Sequence, residues 1–74
     1  MQANIAIGLL ESSSIAKGVE ASDAMCKMAQ VELAAGKVIA RGKYTILIKG
    51  PIGDVESSMR AGVGMLGDTL IHQV

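Results

Sequence analysis

The spacing of apolar and polar residues changes several times along the chain, and each change marks an element. Ile5 to Glu11 is a short apolar run rich in strand formers, closed by Ser12-Ser13-Ser14. A serine cluster there ends a strand and offers a hydroxyl to cap the helix that follows. From Ile15 to Ala29 the apolar residues Ile15, Val19, Met25, Cys26, Met28 and Ala29 fall largely on one helical face. Lys17, Glu20, Asp23 and Lys27 make the polar faces, with Asp23 and Lys27 spaced as an i,i+4 pair. Val31 to Ile39 reads as a strand, bent or bulged at Gly36. Ala40-Arg41-Gly42 is a tight connection. Lys43 to Lys49 then alternates, with Tyr44, Ile46 and Ile48 on one face and Thr45 and Leu47 on the other. Gly50-Pro51 stops that strand, and Pro51 stands where a first helical turn tolerates proline. A second helix runs from Ile52 to Leu66 with Val55, Met59, Val63 and Leu66 as its apolar stripe. Gly67-Asp68 ends it, and Thr69 to Val74 is the last strand.

The order strand, helix, strand, strand, helix, strand predicts a ferredoxin-like βαββαβ domain of the α+β class. An antiparallel sheet carries both helices on one face. Residues 1–74 are read as a single domain with no linker and no internal repeat. The chain stops at Val74 in or beside the last strand, so a trimmed domain or one half of a longer protein is expected.

Composition narrows what such a domain can do. A chain of 74 residues holds one small domain, which buries only about 60% of its unfolded surface. Half the residues are apolar, yet Phe and Trp are absent and Tyr44 is the sole aromatic. A core of Ile, Leu, Val, Met and Ala on this scale gains from association, so an oligomer is expected. Seven Lys and Arg balance seven Asp and Glu, leaving no basic excess for nucleic acid. No apolar run approaches the roughly 18 residues that cross a bilayer, and no secretory signal pattern opens the chain. A cytoplasmic protein without a membrane partner is expected.

Catalytic and metal chemistry find little footing. One cysteine and one histidine, without a C-x-x-C, make no metal set, so no metal and no cofactor are expected. Cys26 is read as a core thiol and His72 as a structural or surface residue of the last strand. The methionines sit at helical spacing and are read as filler for the core or for a subunit interface. Gly62 and Gly64 lower the stability of the second helix and point to close packing against a neighbouring element or subunit. No Ser or Cys nucleophile is tied to His72 by any motif, so no catalytic residue is assigned and an enzyme is not expected. An acylphosphatase-like hydrolase would need an anion-cradling loop with a well-placed Arg and Asn, and Asn4 and Arg41 lie far apart in the order of elements. A small-ligand regulatory domain on the same ferredoxin-like topology stands as the alternative.

The residues themselves carry a resemblance. Ala6-Ile7-Gly8-Leu9-Leu10-Glu11, then Glu20-Ala21-Ser22-Asp23-Ala24-Met25-Cys26-Lys27, is similar to the opening strand (A-x-G-x-x-E) and helix (E-A-x-D-A-M-x-K) of the bacterial microcompartment (BMC) shell domain. The likeness continues through Gln30-Val31-Glu32-Leu33, Ile39-Ala40-Arg41-Gly42-Lys43, Ile48-Lys49-Gly50, Ile52-Gly53-Asp54-Val55 and Ala61-Gly62. Ser14-Ile15-Ala16-Lys17-Gly18 and Gly42-Lys43-Tyr44 look closer to the fused, tandem-domain members, which form trimers, than to the simple hexamers.

The resemblance implies a structural shell protein that assembles into hexagonal tiles around a central pore for small metabolites. The homo-oligomer would be a hexamer, or a pseudo-hexameric trimer if the chain is half of a tandem protein. Partners would be other shell proteins and the encapsulated enzymes. By position, Ala40, Arg41 and Gly42 match the pore-lining loop, and Lys27 matches the edge lysine at the contact between tiles. Gln30 belongs to the same edge motif, where many members carry Asn. Some fused members hold an iron–sulfur cluster on a cysteine of this loop; here the loop has no cysteine and none is expected. Read from spacing alone, Arg41 is an exposed turn residue and Lys27 a solvated helix lysine.

Overall fold

A computed structural model describes residues 5–74; Asn4 and the initiator methionine lie outside the described residues. The elements are β1 (Ile5–Ser12), α1 (Ile15–Met28), β2 (Glu32–Ile39), β3 (Lys43–Pro51), α2 (Ile52–Leu66) and β4 (Leu70–Gln73). Tight turns at Ala40–Gly42 and Gly67–Thr69 complete the trace. The sheet order is β2-β3-β1-β4, and every neighbouring pair is antiparallel. This is the expected ferredoxin-like arrangement.

Alternation along the two central strands sorts the faces. Register pairs Leu10 with Ile46 and Gly8 with Ile48, and the buried members of these pairs face the helices. Leu10, Ile46, Ile48, Ala21, Met25, Val55 and Leu66 form the core, with Tyr44, Met59 and Val63 packed against it. Tyr44, Ile46 and Ile48 share the buried face as the alternation predicts. The opposite face of the sheet carries no layer among the described residues and presents Ile5 and Ile7.

The helices sit close because small residues let them. A Cβ on Gly18 would meet the Tyr44 ring at 2.5 Å, and one on Gly62 would meet Met25 Sδ at 2.5 Å and Leu10 Cδ1 at 2.7 Å. Ser58 Oγ, fully buried, donates to the Met25 carbonyl at 2.9 Å and ties α2 to α1. Ser14 caps α1 by accepting from the Lys17 amide at 3.1 Å, as the serine cluster suggests. Ser12, at the end of β1, accepts from the Ser14 amide and reaches Thr69 Oγ1 at 3.0 Å, and Thr69 donates to the Leu66 carbonyl at 2.7 Å. That chain of bonds joins the end of α2 to the start of α1 and satisfies a buried hydroxyl.

Several expectations shift. The irregularity in β2 lies at Ala34, where the register with β3 slips between Leu33 and Ala35. Gly36 instead lies under the Tyr44 hydroxyl, which a Cβ would meet at 2.9 Å. The buried residues of α1 are Gly18, Ala21, Ser22 and Met25, while Ile15, Val19 and Met28 are exposed. Cys26 is exposed as well and is no core thiol: it lies 100° round the helix from Met25, toward the outer flank. Among the methionines of the described residues Met28 and Met65 are exposed, Met59 is half-buried and Met25 is wholly core. Gly62 does pack against a neighbouring element, but Gly64 has no atom within 4 Å of where its Cβ would be. Pro51 ends β3 and precedes the first residue of α2. The last strand is shorter than expected, though Val74 still exchanges two backbone bonds with Leu9, at 3.0 and 3.1 Å.

Candidate functional site

The β2–β3 hairpin turns through Ala40, Arg41 and Gly42, all three exposed. Arg41 has φ 67° and ψ 33°, and Gly42 has φ 73°. Two successive residues with positive φ match the right-handed twist of a β-hairpin, and glycine fills the second position freely. The first position usually holds Asn, Asp or Gly, because a Cβ in the left-handed region crowds the following carbonyl. Arg41 is the sole non-glycine residue with positive φ among the described residues. The tip therefore keeps an arginine against its backbone preference. Lys37 and Lys43 flank it on the two strands. The ion pairs among the described residues are Lys17–Glu20, Lys27–Asp23 and Lys49–Glu32, and none reaches Lys37, Arg41 or Lys43. Among the described residues the tip is a positive end without an ion-pair partner.

Lys27 and Gln30 occupy the other end. Lys27 Nζ lies 3.0 Å from Asp23 Oδ2, with its side chain 76% exposed, a geometry worth about 0.3–0.5 kcal/mol. Gln30 and exposed Cys26 border an open cavity of about 620 Å³ with Val31, Gly50 and Ile5. Gly50 makes the close approach here: a Cβ would meet the Gln30 carbonyl at 2.8 Å. Tyr44 under Gly18 and Gly50 beside Gln30 show that α1 runs alongside β3 in the same direction. The nine residues of β3 thus hold the Arg41 tip and the Lys27–Gln30 corner apart by roughly 25 Å. Lys27 stands in the last turn of α1 and Gln30 just beyond it, Ala40, Arg41 and Gly42 form the hairpin tip, and the length of β3 separates the two groups.

Sequence reasoning missed the exposure of Cys26 beside this corner and the left-handed backbone of Arg41. The second had a signal, since Arg-Gly sits where a two-strand turn requires positive φ.

A ferredoxin-like α+β domain with a basic hairpin tip at one end and an exposed lysine corner at the other is the class that the fold and geometry define. The BMC domain family model matches residues 6–74, and the chain belongs to that family. It is similar to the bacterial microcompartment shell protein PduT of Citrobacter freundii, with 46% identity over 69 residues covering 93% of this chain and 38% of that protein. It is similar to the major carboxysome shell protein CsoS1A of Halothiobacillus neapolitanus, with 36% identity over 70 residues covering 90% of this chain and 71% of that protein. A solved microcompartments protein from Desulfitobacterium hafniense DCB superposes with a TM-score of 0.94 at 44% identity, covering 97% of this chain and 40% of that one. The chain thus spans less than half the length of PduT and of the solved protein. These relatives are shell and microcompartment proteins, and nothing in them favours the small-ligand regulatory alternative.

Proposed function

We propose that the domain is a structural, non-enzymatic tile of a bacterial microcompartment shell. In that role the β2–β3 tips meet at a ring axis and line a pore for small metabolites. Six domains close the ring, supplied by six chains or by three two-domain chains. Lys27 and Gln30 lie at the outer corner, where tiles contact other shell proteins, and encapsulated enzymes lie behind the sheet of tiles. Localisation follows from the role: the shell within the bacterial cytoplasm. Membership of the BMC family supports this reading, and the observation that carries it for this chain is the Arg41 tip. An arginine held at φ 67°, exposed and without an ion-pair partner among the described residues, is retained for what its side chain meets outside the chain. Six such arginines around an axis make a positive ring that favours small anions over cations.

Permeability of assembled shells tests the proposal. Arg41→Glu should slow entry of small anions several-fold and raise that of cations, with tiles still forming. Unchanged anion entry through intact shells would remove Arg41 from the pore.

A further inference from the structure

The β2–β3 hairpin sorts its charges onto one face. Lys37 pairs with Thr45 and Ile39 with Lys43, while Val38 pairs with Tyr44 on the helix side, where Gly18 of α1 meets the Tyr44 ring. Paired residues of an antiparallel sheet share a face, so Lys37 and Lys43 both project from the open sheet face. They stand on the diagonal of the ladder, with Cβ atoms about 7 Å apart. Arg41 closes the same end at φ 67°, and all three side chains are exposed.

The carboxylates on this face stand away from the cluster. Glu11 of β1 pairs with Thr45 from the far side, two strand spacings or roughly 10 Å from Lys37, and has His72 opposite it on β4. Glu32 lies 4.0 Å from Lys49, toward the other end of β3 and roughly 20 Å from Lys43. On the helix side of the tip Lys17 is paired with Glu20 at 3.8 Å. Asp68 is also on that side, since its neighbour Thr69 accepts from the Ser13 amide at the start of α1. Among the described residues the hairpin end is therefore basic on its open face and not on its helix face.

Like charges held close on a sheet cost stability. A lysine on an edge strand also discourages unwanted strand pairing, which accounts for Lys37 alone. Lys43 lies on β3, inside the sheet, and Arg41 keeps a backbone that favours glycine. A carboxylate offsets one such charge, whereas a phosphate dianion seated among the three side chains offsets more and offers oxygens to each. We propose that Lys37, Arg41 and Lys43 form a binding site for a phosphate dianion on the open face of the hairpin. The inference rests on the ring reading above for its consequence: six such sites surround one mouth of the pore and none surrounds the other. Phosphate-bearing anions then gather at the sheet-face mouth.

Phosphorus NMR of inorganic phosphate titrated with the purified full chain tests it, at fixed ionic strength and a pH where phosphate is doubly charged. Phosphate should bind, sulfate should displace it, and acetate should displace it several-fold less well. Lys37→Gln and Lys43→Gln should each weaken binding several-fold, while Lys17→Gln, on the helix side, should leave it unchanged. Glycerol phosphate, titrated in the same way, separates the sources: equal binding assigns the site to phosphate carried on a metabolite, and weaker binding to the free ion. Absent binding, binding that survives both hairpin substitutions, or equal loss in Lys17→Gln overturns the site. Acetate as effective as sulfate overturns the preference for a dianion. Native mass spectrometry of the same samples reports the ring separately. A ring without phosphate binding overturns this inference and leaves the ring reading intact, whereas phosphate binding by a lone subunit keeps the hairpin site and removes the mouth. Circular dichroism checks the fold of each variant, and should Lys43→Gln fail to fold, Lys37→Gln on the exposed edge decides.

Discussion

Arg41 sits in a backbone conformation that costs an L-residue roughly 1–2 kcal/mol, at the exposed tip of a hairpin. Glycine would relieve that strain, offset by the 0.5–1 kcal/mol it loses through its freer unfolded chain. Urea denaturation of the dissociated protein should therefore show Arg41→Gly more stable by about 0.5–1 kcal/mol. A destabilised variant would mean that the side chain supports the fold, and its retention would need no external role. At this scale the sequence was partly legible. Arg-Gly at a turn signalled the tip, and Tyr44, Ile46 and Ile48 showed their shared face through alternation. Cys26 was misread because type preference says buried, whereas helical rotation from Met25 turns it outward.

Elements were legible in order and nearly in extent, because strand alternation, the Ser14 cap and the Gly50-Pro51 and Gly67 breaks each act locally. What α1 buries was not legible. Its inner face is built from Gly18, Ala21, Ser22 and Met25, three of them too small or too polar to register as an apolar stripe. Ile15 and Val19 register strongly yet project from the flank. The Ala34 slip in β2 was likewise hidden, since a bulge depends on the partner strand rather than on the residue that forms it. The α1–α2 contact gives a direct test. Alanine at 62 and at 64 gains the same helix propensity, about 1 kcal/mol, but only position 62 faces Met25 and Leu10. Overpacking there costs about 1–3 kcal/mol. Gly62→Ala should come out less stable than Gly64→Ala by about that amount in the dissociated chain. Equal stabilities would show that α1 and α2 do not pack as closely as Gly62 indicates.

At the scale of the molecule β3 separates two exposed regions, a basic tip and the Lys27–Gln30 corner, by about its own length. A domain of this shape suits a wedge in a ring, with one end at the axis and the other at the rim. Neither end could be placed from composition or periodicity; the family resemblance marked them, and the fold explains why residues far apart in sequence share one axis. Lys27 has only a surface pair with Asp23, so Lys27→Ala should leave the subunit and ring intact by native mass spectrometry. The same variant should form extended sheets several-fold less readily by electron microscopy. Sheets as abundant as those of the wild type would remove Lys27 from the edge.

The central claim is that these domains close into six-domain rings that tile. Native mass spectrometry of the purified protein, with negative-stain microscopy of the same sample, tests it most directly. The account predicts a mass holding six BMC domains, and flat hexagonal sheets with a stain-filled hole at each ring centre. A stable monomer or dimer, with no sheets at any protein concentration, would contradict it.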